Sequence, residues 1–168
     1  MSNISMTTSK RNAIVTVMLI SAFVSMLNQT ILNTALPAII KGLNITETTA
    51  QWLITGFMLV NGIMIPLTAF LMDKYSTRHL YIFSMAIFLI GSIIAAFSPT
   101  FTILMISRII QAIGAGILLP LMQFTVFTLF PAEQRGFAMG LAGVVVQSAP
   151  AIGPTLTGLF VDLFSWRM

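Results

Sequence analysis

Residues 80–97 read LYIFSMAIFLIGSIIAAF, an apolar run that contains no charged side chain. As an α-helix, such a run can cross the roughly 30 Å of bilayer hydrocarbon, which takes about 20 mainly apolar residues. Four further apolar stretches fill most of the chain and predict helices near residues 13–37, 50–72, 101–123 and 137–160, of which only 101–123 contains a charged residue. The sequence therefore predicts an all-α fold, a multi-pass membrane bundle of about five helices in a single domain.

The composition excludes an ordinary water-soluble domain. Hydrophobic residues make up 57% of the chain and charged residues only 7%, whereas soluble domains carry roughly 25% charged residues. Cysteine is absent, which excludes a disulfide framework and a thiolate metal site. The net charge of +4 comes from scattered cations, so we expect membrane lipids around the protein and no nucleic-acid partner.

The cations in the short turns predict an orientation. A cytoplasmic N-terminus agrees with the positive-inside rule, because it places more cations inside than outside. The inner set would be Lys10, Arg11, Lys74, Arg78 and Arg135, and the outer set Lys41 and Arg167. We expect a cell-membrane protein whose first helix is retained, because no small-residue cleavage site of a signal peptide follows the cationic start.

Arg108 is the one basic residue that lies well inside a predicted span. A charge at the centre of a membrane helix costs at least about 2.5 kcal/mol on insertion scales, so it should face a partner or a water-filled cavity. Gln111 follows three residues later and should share the same face. A functional role is favoured, and a structural arginine that reaches the interface and bonds carbonyl groups is the alternative.

Two further groups of polar residues have a functional and a structural interpretation. On the first helix, the amides of Asn28 and Asn33 lie on different faces, and they suit substrate contact or bonding between helices equally well. In the turn after the second helix, Asp73, Lys74 and Arg78 form either a solvated loop or a charge latch that moves between states. The spacing alone does not separate these interpretations.

With these residues assembled, the chain resembles the major facilitator superfamily, and most closely its drug:proton antiporter branch with fourteen spans. Residues 27–37 (LNQTILNTALP) are similar to the first-helix signature of the branch, with Asn28 where an aspartate is usual. Residues 69–78 (AFLMDKYSTR) resemble the superfamily's loop after the second helix. That likeness implies a conformational latch formed by Asp73, Lys74 and Arg78.

The fourth and fifth helices carry two more similarities. Residues 108–116 (RIIQAIGAG) resemble a fourth-helix pattern that the family associates with proton coupling, which implies this role for Arg108 and Gln111. The fifth-helix antiporter motif, which implies export by exchange, is matched at Gly140, Ala149, Gly153, Pro154, Thr157 and Gly158. Prolines within this helix favour a bending point.

The resemblance implies the N-terminal portion of a proton-coupled multidrug exporter. Its partners would be a small-molecule drug, protons and the missing C-terminal helices, and the proton gradient would supply the energy without a cofactor. Polarity and the adaptable shape of methionine suggest a substrate cavity lined by Met26, Asn28, Asn33, Met58, Gln123 and Gln147. Residues 165–167 look like the start of a sixth helix, so we expect the chain to be truncated.

Two other function classes are weaker. The abrupt end of the chain would also suit a non-transporting remnant or a small membrane interaction protein. An intramembrane enzyme is disfavoured, because the sequence has no Gly-x-Ser-x-Gly motif, no cysteine and a single histidine.

Overall fold

A computed structural model of the chain describes residues 7–163, with side-chain surroundings through residue 158. It contains five α-helices, each long and apolar enough to cross a membrane. They are α1 (Thr8–Leu43), α2 (Glu47–Lys74), α3 (Thr77–Ala96), α4 (Phe101–Leu129) and α5 (Ala132–Leu163). The predicted all-α bundle is confirmed, whereas the predicted start of a sixth helix at residues 165–167 lies outside the described residues.

The first helix is longer than the sequence predicts. We expected it to end at Pro37, but α1 continues to Leu43. A proline removes one helical N–H donor without preventing later residues from bonding, so the helix ends only where Asn44 adopts a left-handed conformation with φ of 51°. The N–H of Asn44 then donates to the Ile40 carbonyl.

Successive helices run in opposite directions and bring their turns together at two ends of the bundle. We call one the Arg78 end, formed by the start of α1 and the α2–α3 and α4–α5 turns, and the other the Lys41 end, formed by the remaining two turns. At the Arg78 end, the guanidinium of Arg11 lies 4.4 Å from the ring centre of Phe130. At the Lys41 end, Ile39, Leu53 and Leu104 pack in one apolar cluster.

The fourth helix is the centre of the bundle and packs against each of the other four. More than half of its most apolar segment is buried, 56%, against 22–28% in the other helices. Ile117 and Leu121 of α4 join Met18 of α1 and Met64 of α2 in the largest apolar cluster. A polar side chain on the buried part of α4 therefore needs a hydrogen-bond partner within the bundle.

Glycines allow α3 and α4 to approach closely. A Cβ added to Gly91 would lie 2.9 Å from the Ser107 carbonyl oxygen, and one added to Gly114 would lie 2.6 Å from that of Ser84. Small residues at helix contacts let membrane helices pack backbone against backbone. This contact fixes the part of α4 that carries Arg108 against the part of α3 that carries Ser92.

Candidate functional site

Arg108 is buried in the bundle, with 1% of its surface exposed. Its Nη1 donates to Oε1 of Gln111 at 2.7 Å, which confirms that the two side chains share one face of α4. The guanidinium bonds to side-chain amides within the described bundle and not to backbone carbonyl groups. Its functional role stays a prediction.

Three helices contribute to the hydrogen bonds around Arg108. Its Nη1 also donates to Oδ1 of Asn28 on α1 at 3.0 Å. Gln111 in turn donates through Nε2 to Oγ of Ser92 on α3 at 3.0 Å. We call Asn28, Ser92, Arg108 and Gln111 the polar cluster, and it connects α1, α4 and α3 through side chains far apart in sequence.

The second helix covers the flat face of the guanidinium. Cζ of Arg108 lies 4.3 Å from the ring centre of Phe57, and this ring is itself buried. A cation held over an aromatic face is stabilised by the negative potential of the ring, and more strongly where water is excluded. Phe57 therefore partly offsets the cost of burying the charge.

A cavity of about 150 Å³ borders the polar cluster. All four residues of the cluster line it, and the other walls are apolar side chains of α1, α3 and α4. The lining extends along Ile39 and Ala96, close to the ends of α1 and α3, so the cavity extends from the cluster towards the Lys41 end.

The predicted substrate-cavity residues do not all gather at this place. Of the six, Asn28 lines the cavity, and Met26 is half-buried against the main apolar cluster. The other four are exposed on the described bundle, namely Asn33, Met58, Gln123 and Gln147. Their role in binding substrate stays a prediction.

The predicted latch residues lie exposed at the Arg78 end. Asp73 and Lys74 are the last residues of α2, and the Lys74 ammonium lies 4.4 Å from the ring centre of Phe70. Arg78 is exposed and borders a second cavity of about 620 Å³ between the starts of α1 and α3 and the end of α4. Tyr81 and Ser21, which share a hydrogen bond of 2.5 Å, join α1 and α3 nearby.

The residues of the fifth-helix motif divide between two faces of α5. Ala149, Gly153 and Thr157 are buried, and a Cβ added to Gly153 would lie 2.5 Å from Cγ2 of Thr30 on α1. The Thr157 hydroxyl donates to the Gly153 carbonyl at 2.8 Å.

The opposite face of α5 is open in the described structure. Gly140, Pro154 and Gly158 are exposed, and a Cβ added to either glycine would meet no atom within 4 Å. The helix continues through both of its prolines. One half of the motif therefore packs α5 against α1, and the other half remains free for contacts outside the described residues.

Sequence reasoning missed two residues of the site. Ser92 is one of three hydroxyl side chains within residues 80–97 and follows a glycine. That pattern indicates a close helix contact but does not identify the residue on the other helix. Phe57 is one of 13 phenylalanines, and nothing in its local sequence distinguishes it from those that face lipid.

Comparison with known proteins identifies the family of this chain. The family model described as Major Facilitator Superfamily matches residues 18–168. The chain belongs to the Major Facilitator Superfamily. The resemblance found in the four motifs is confirmed at the level of the superfamily.

Several bacterial members of the superfamily are similar to this chain. It is 55% identical over 94% of its length to an uncharacterized MFS-type transporter, YcnB, of Bacillus subtilis. It is 44% identical over 89% of its length to the lincomycin resistance protein LmrB of Bacillus subtilis. It is 35% identical over 88% of its length to the probable multidrug resistance protein EmrY of Escherichia coli.

The chain covers 33%, 31% and 29% of these three relatives, respectively. It therefore spans about a third of the length of the curated transporters that it matches.

Proposed function

We propose that this chain forms part of a drug exporter that exchanges protons for amphipathic or cationic small molecules across a cell membrane. The observation that carries the proposal is the buried guanidinium of Arg108, held by amides of two helices beside a cavity. Relatives named for drug resistance support the substrate class. Further transporter helices are the expected partners, because such transporters place their substrate site between two repeats.

The distribution of cations supports a cytoplasmic Arg78 end and hence a cytoplasmic N-terminus. In the described part of the chain, five of the cations lie at the Arg78 end and Lys41 lies at the other. Short loops rich in lysine and arginine stay on the cytoplasmic side of a membrane. The polar cluster, which lies nearer the Lys41 end, would then sit in the outer half of the bundle.

Arg108 is proposed to couple proton movement to the change of state. A guanidinium stays protonated at physiological pH, so it acts by its field and does not itself carry the proton. A proton carrier that approaches Arg108 would be driven to its deprotonated form, because a nearby positive charge favours the anion. One elementary charge that crosses a potential of 100 mV releases about 2.3 kcal/mol, which is enough to drive export against a gradient.

The exposed residues at the Arg78 end are proposed to set the balance between conformational states. Asp73, Lys74 and Arg78 face outward from the described bundle, so they are free to contact another part of the transporter in one state and water in another. The open face of α5, with Gly140 and Gly158, would allow a second helix to approach closely.

The test uses inverted membrane vesicles that contain the product of the complete gene. Proton-driven efflux is measured there as accumulation of the drug inside the vesicles. Replacing Arg108 by alanine should reduce gradient-driven efflux to the background level, because the fixed charge beside the cavity is lost. Membrane insertion and drug binding measured without a gradient should persist. Lys41→Ala, which removes an exposed cation, is the matched control and should transport normally.

Two results would contradict different parts of the proposal. Wild-type efflux from Arg108→Ala would exclude the coupling role. Efflux that continues in the wild-type protein after a protonophore collapses the gradient would exclude proton antiport, whichever residues are involved.

A further inference from the structure

The hydrogen bonds of Arg108 leave one edge of its guanidinium free. A guanidinium has five N–H donors. Both observed bonds start from Nη1, one to Asn28 and one to Gln111. Nε and Nη2 are buried and have no hydrogen-bond partner in the described structure. These two nitrogens form the parallel fork that binds carboxylates and other anions in a bidentate manner.

The charge of Arg108 is also unbalanced within the described residues. Every carboxylate whose side chain is described lies exposed at a helix end, namely Glu47, Asp73 and Glu133. The oxygens that reach the guanidinium belong to neutral amides, and the ring of Phe57 offers no full negative charge. A buried ion that lacks a counter-charge is strongly destabilising.

The cavity beside the cluster has the size and the lining of a small-anion site. Its volume of about 150 Å³ exceeds the roughly 30 Å³ that one water molecule takes up in the liquid. The Asn28 amide accepts from Arg108 through its oxygen, which keeps its NH₂ group as a further donor. Water alone would satisfy the N–H groups of Arg108 but would leave its charge unbalanced.

We propose that the free edge of Arg108, formed by Nε and Nη2, binds a small monovalent anion such as chloride in this cavity. The anion would reach it along Ile39 and Ala96 from the Lys41 end, since the cavity extends in that direction. It supplies the counter-charge that Asn28 does not. The site is independent of the direction of transport and of the drug, so its test uses neither a drug nor a proton gradient.

The first measurement is the thermal unfolding midpoint of the detergent-purified product of the complete gene, followed by tryptophan fluorescence. Replacing gluconate by chloride at constant ionic strength should raise the midpoint in a saturable manner, by about 3 °C or more. Asn28→Asp should abolish this response, because a carboxylate at that position supplies the counter-charge itself. Asn12→Asp makes the same chemical change at an exposed position on α1 and should keep the full response.

A second measurement does not depend on the folding of a variant. The line width of the chloride NMR signal should broaden when wild-type protein is added and should sharpen when bromide competes. Wild-type protein that shows neither a chloride-specific shift nor broadening would overturn the proposal and leave water as the content of the cavity. A chloride response that survives unchanged in Asn28→Asp would also overturn it, because the anion would then bind elsewhere.

Discussion

The polar cluster and the α2–α3 turn are built from similar side chains in opposite surroundings. In the cluster, Arg108 is buried and bonded to amides of two helices. In the turn, Asp73 and Arg78 are exposed. A charge in water can move with little change in free energy, because exposed ion pairs contribute only about 0–1 kcal/mol. The loss of one partner of a buried charge is costly, because it leaves polar groups without a hydrogen-bond partner. We therefore expect the cluster to be a fixed element, and the proposed latch in the turn to cost little free energy when it changes partners.

The largest expected effect comes from the helix contact that holds the cluster together. Gly114→Val should lower the free energy of unfolding by about 1–3 kcal/mol, because its side chain would collide with the backbone of α3. Gly62→Val is the control, since Gly62 is exposed on α2 and its added atoms meet open space. Thermal unfolding of both detergent-purified variants measures the difference. Equal stability of the two variants would show that α3 and α4 separate at little cost in free energy. The cluster would then be no more fixed than the turn.

The next effect concerns the hydrogen bonds within the cluster. Gln111→Leu removes the acceptor of Arg108 and the donor to Ser92, and an unsatisfied buried polar group costs about 1–3 kcal/mol. Gln123→Leu makes the same change at an exposed position on α4 and should change stability by less than about 0.5 kcal/mol. Denaturation of the pair in detergent tests this, and a Gln111→Leu protein as stable as its control would show that water replaces the lost bonds freely.

The smallest effect on stability is expected in the turn. Asp73→Asn should alter the free energy of unfolding by less than about 0.5 kcal/mol, because Asp73 is exposed. Under the proposed latch role, the same variant should still change the rate of efflux by the complete transporter. Measuring stability and efflux side by side separates the two roles. A large loss of stability would show that Asp73 is part of a fixed contact and not of a movable one.

The sequence predicted most of the fold because membrane insertion depends on the summed hydropathy of each segment. The five spans were found, but their ends were less accurate. The prediction of an end at Pro37 was wrong because a proline lacks only its own N–H donor, so later residues can still form helical bonds. The helix α1 continues to its left-handed cap at Asn44. Helix ends depend on such local geometry, which hydropathy does not record.

The site was predicted only in part. Arg108 and Gln111 were identified because a charge within a span is costly and because residues three apart share a helical face. Asn28 and Asn33 were indistinguishable in sequence, and the structure places only Asn28 against Arg108. The side of α1 that faces α4 depends on the packing of both helices, which no local pattern specifies.

The sequence by itself determined that this protein is a helical membrane protein that resembles the Major Facilitator Superfamily, with one charged residue deep within a span. These properties follow from the polarity of individual residues and from short motifs, which do not require knowledge of neighbours. Only the tertiary structure decided that Phe57, Asn28 and Ser92 surround the arginine and its partner, and that one edge of the guanidinium has no hydrogen-bond partner among the described residues. Contacts between residues on different helices are set by close packing, because small side chains such as Gly91 and Gly114 determine which helix faces can meet.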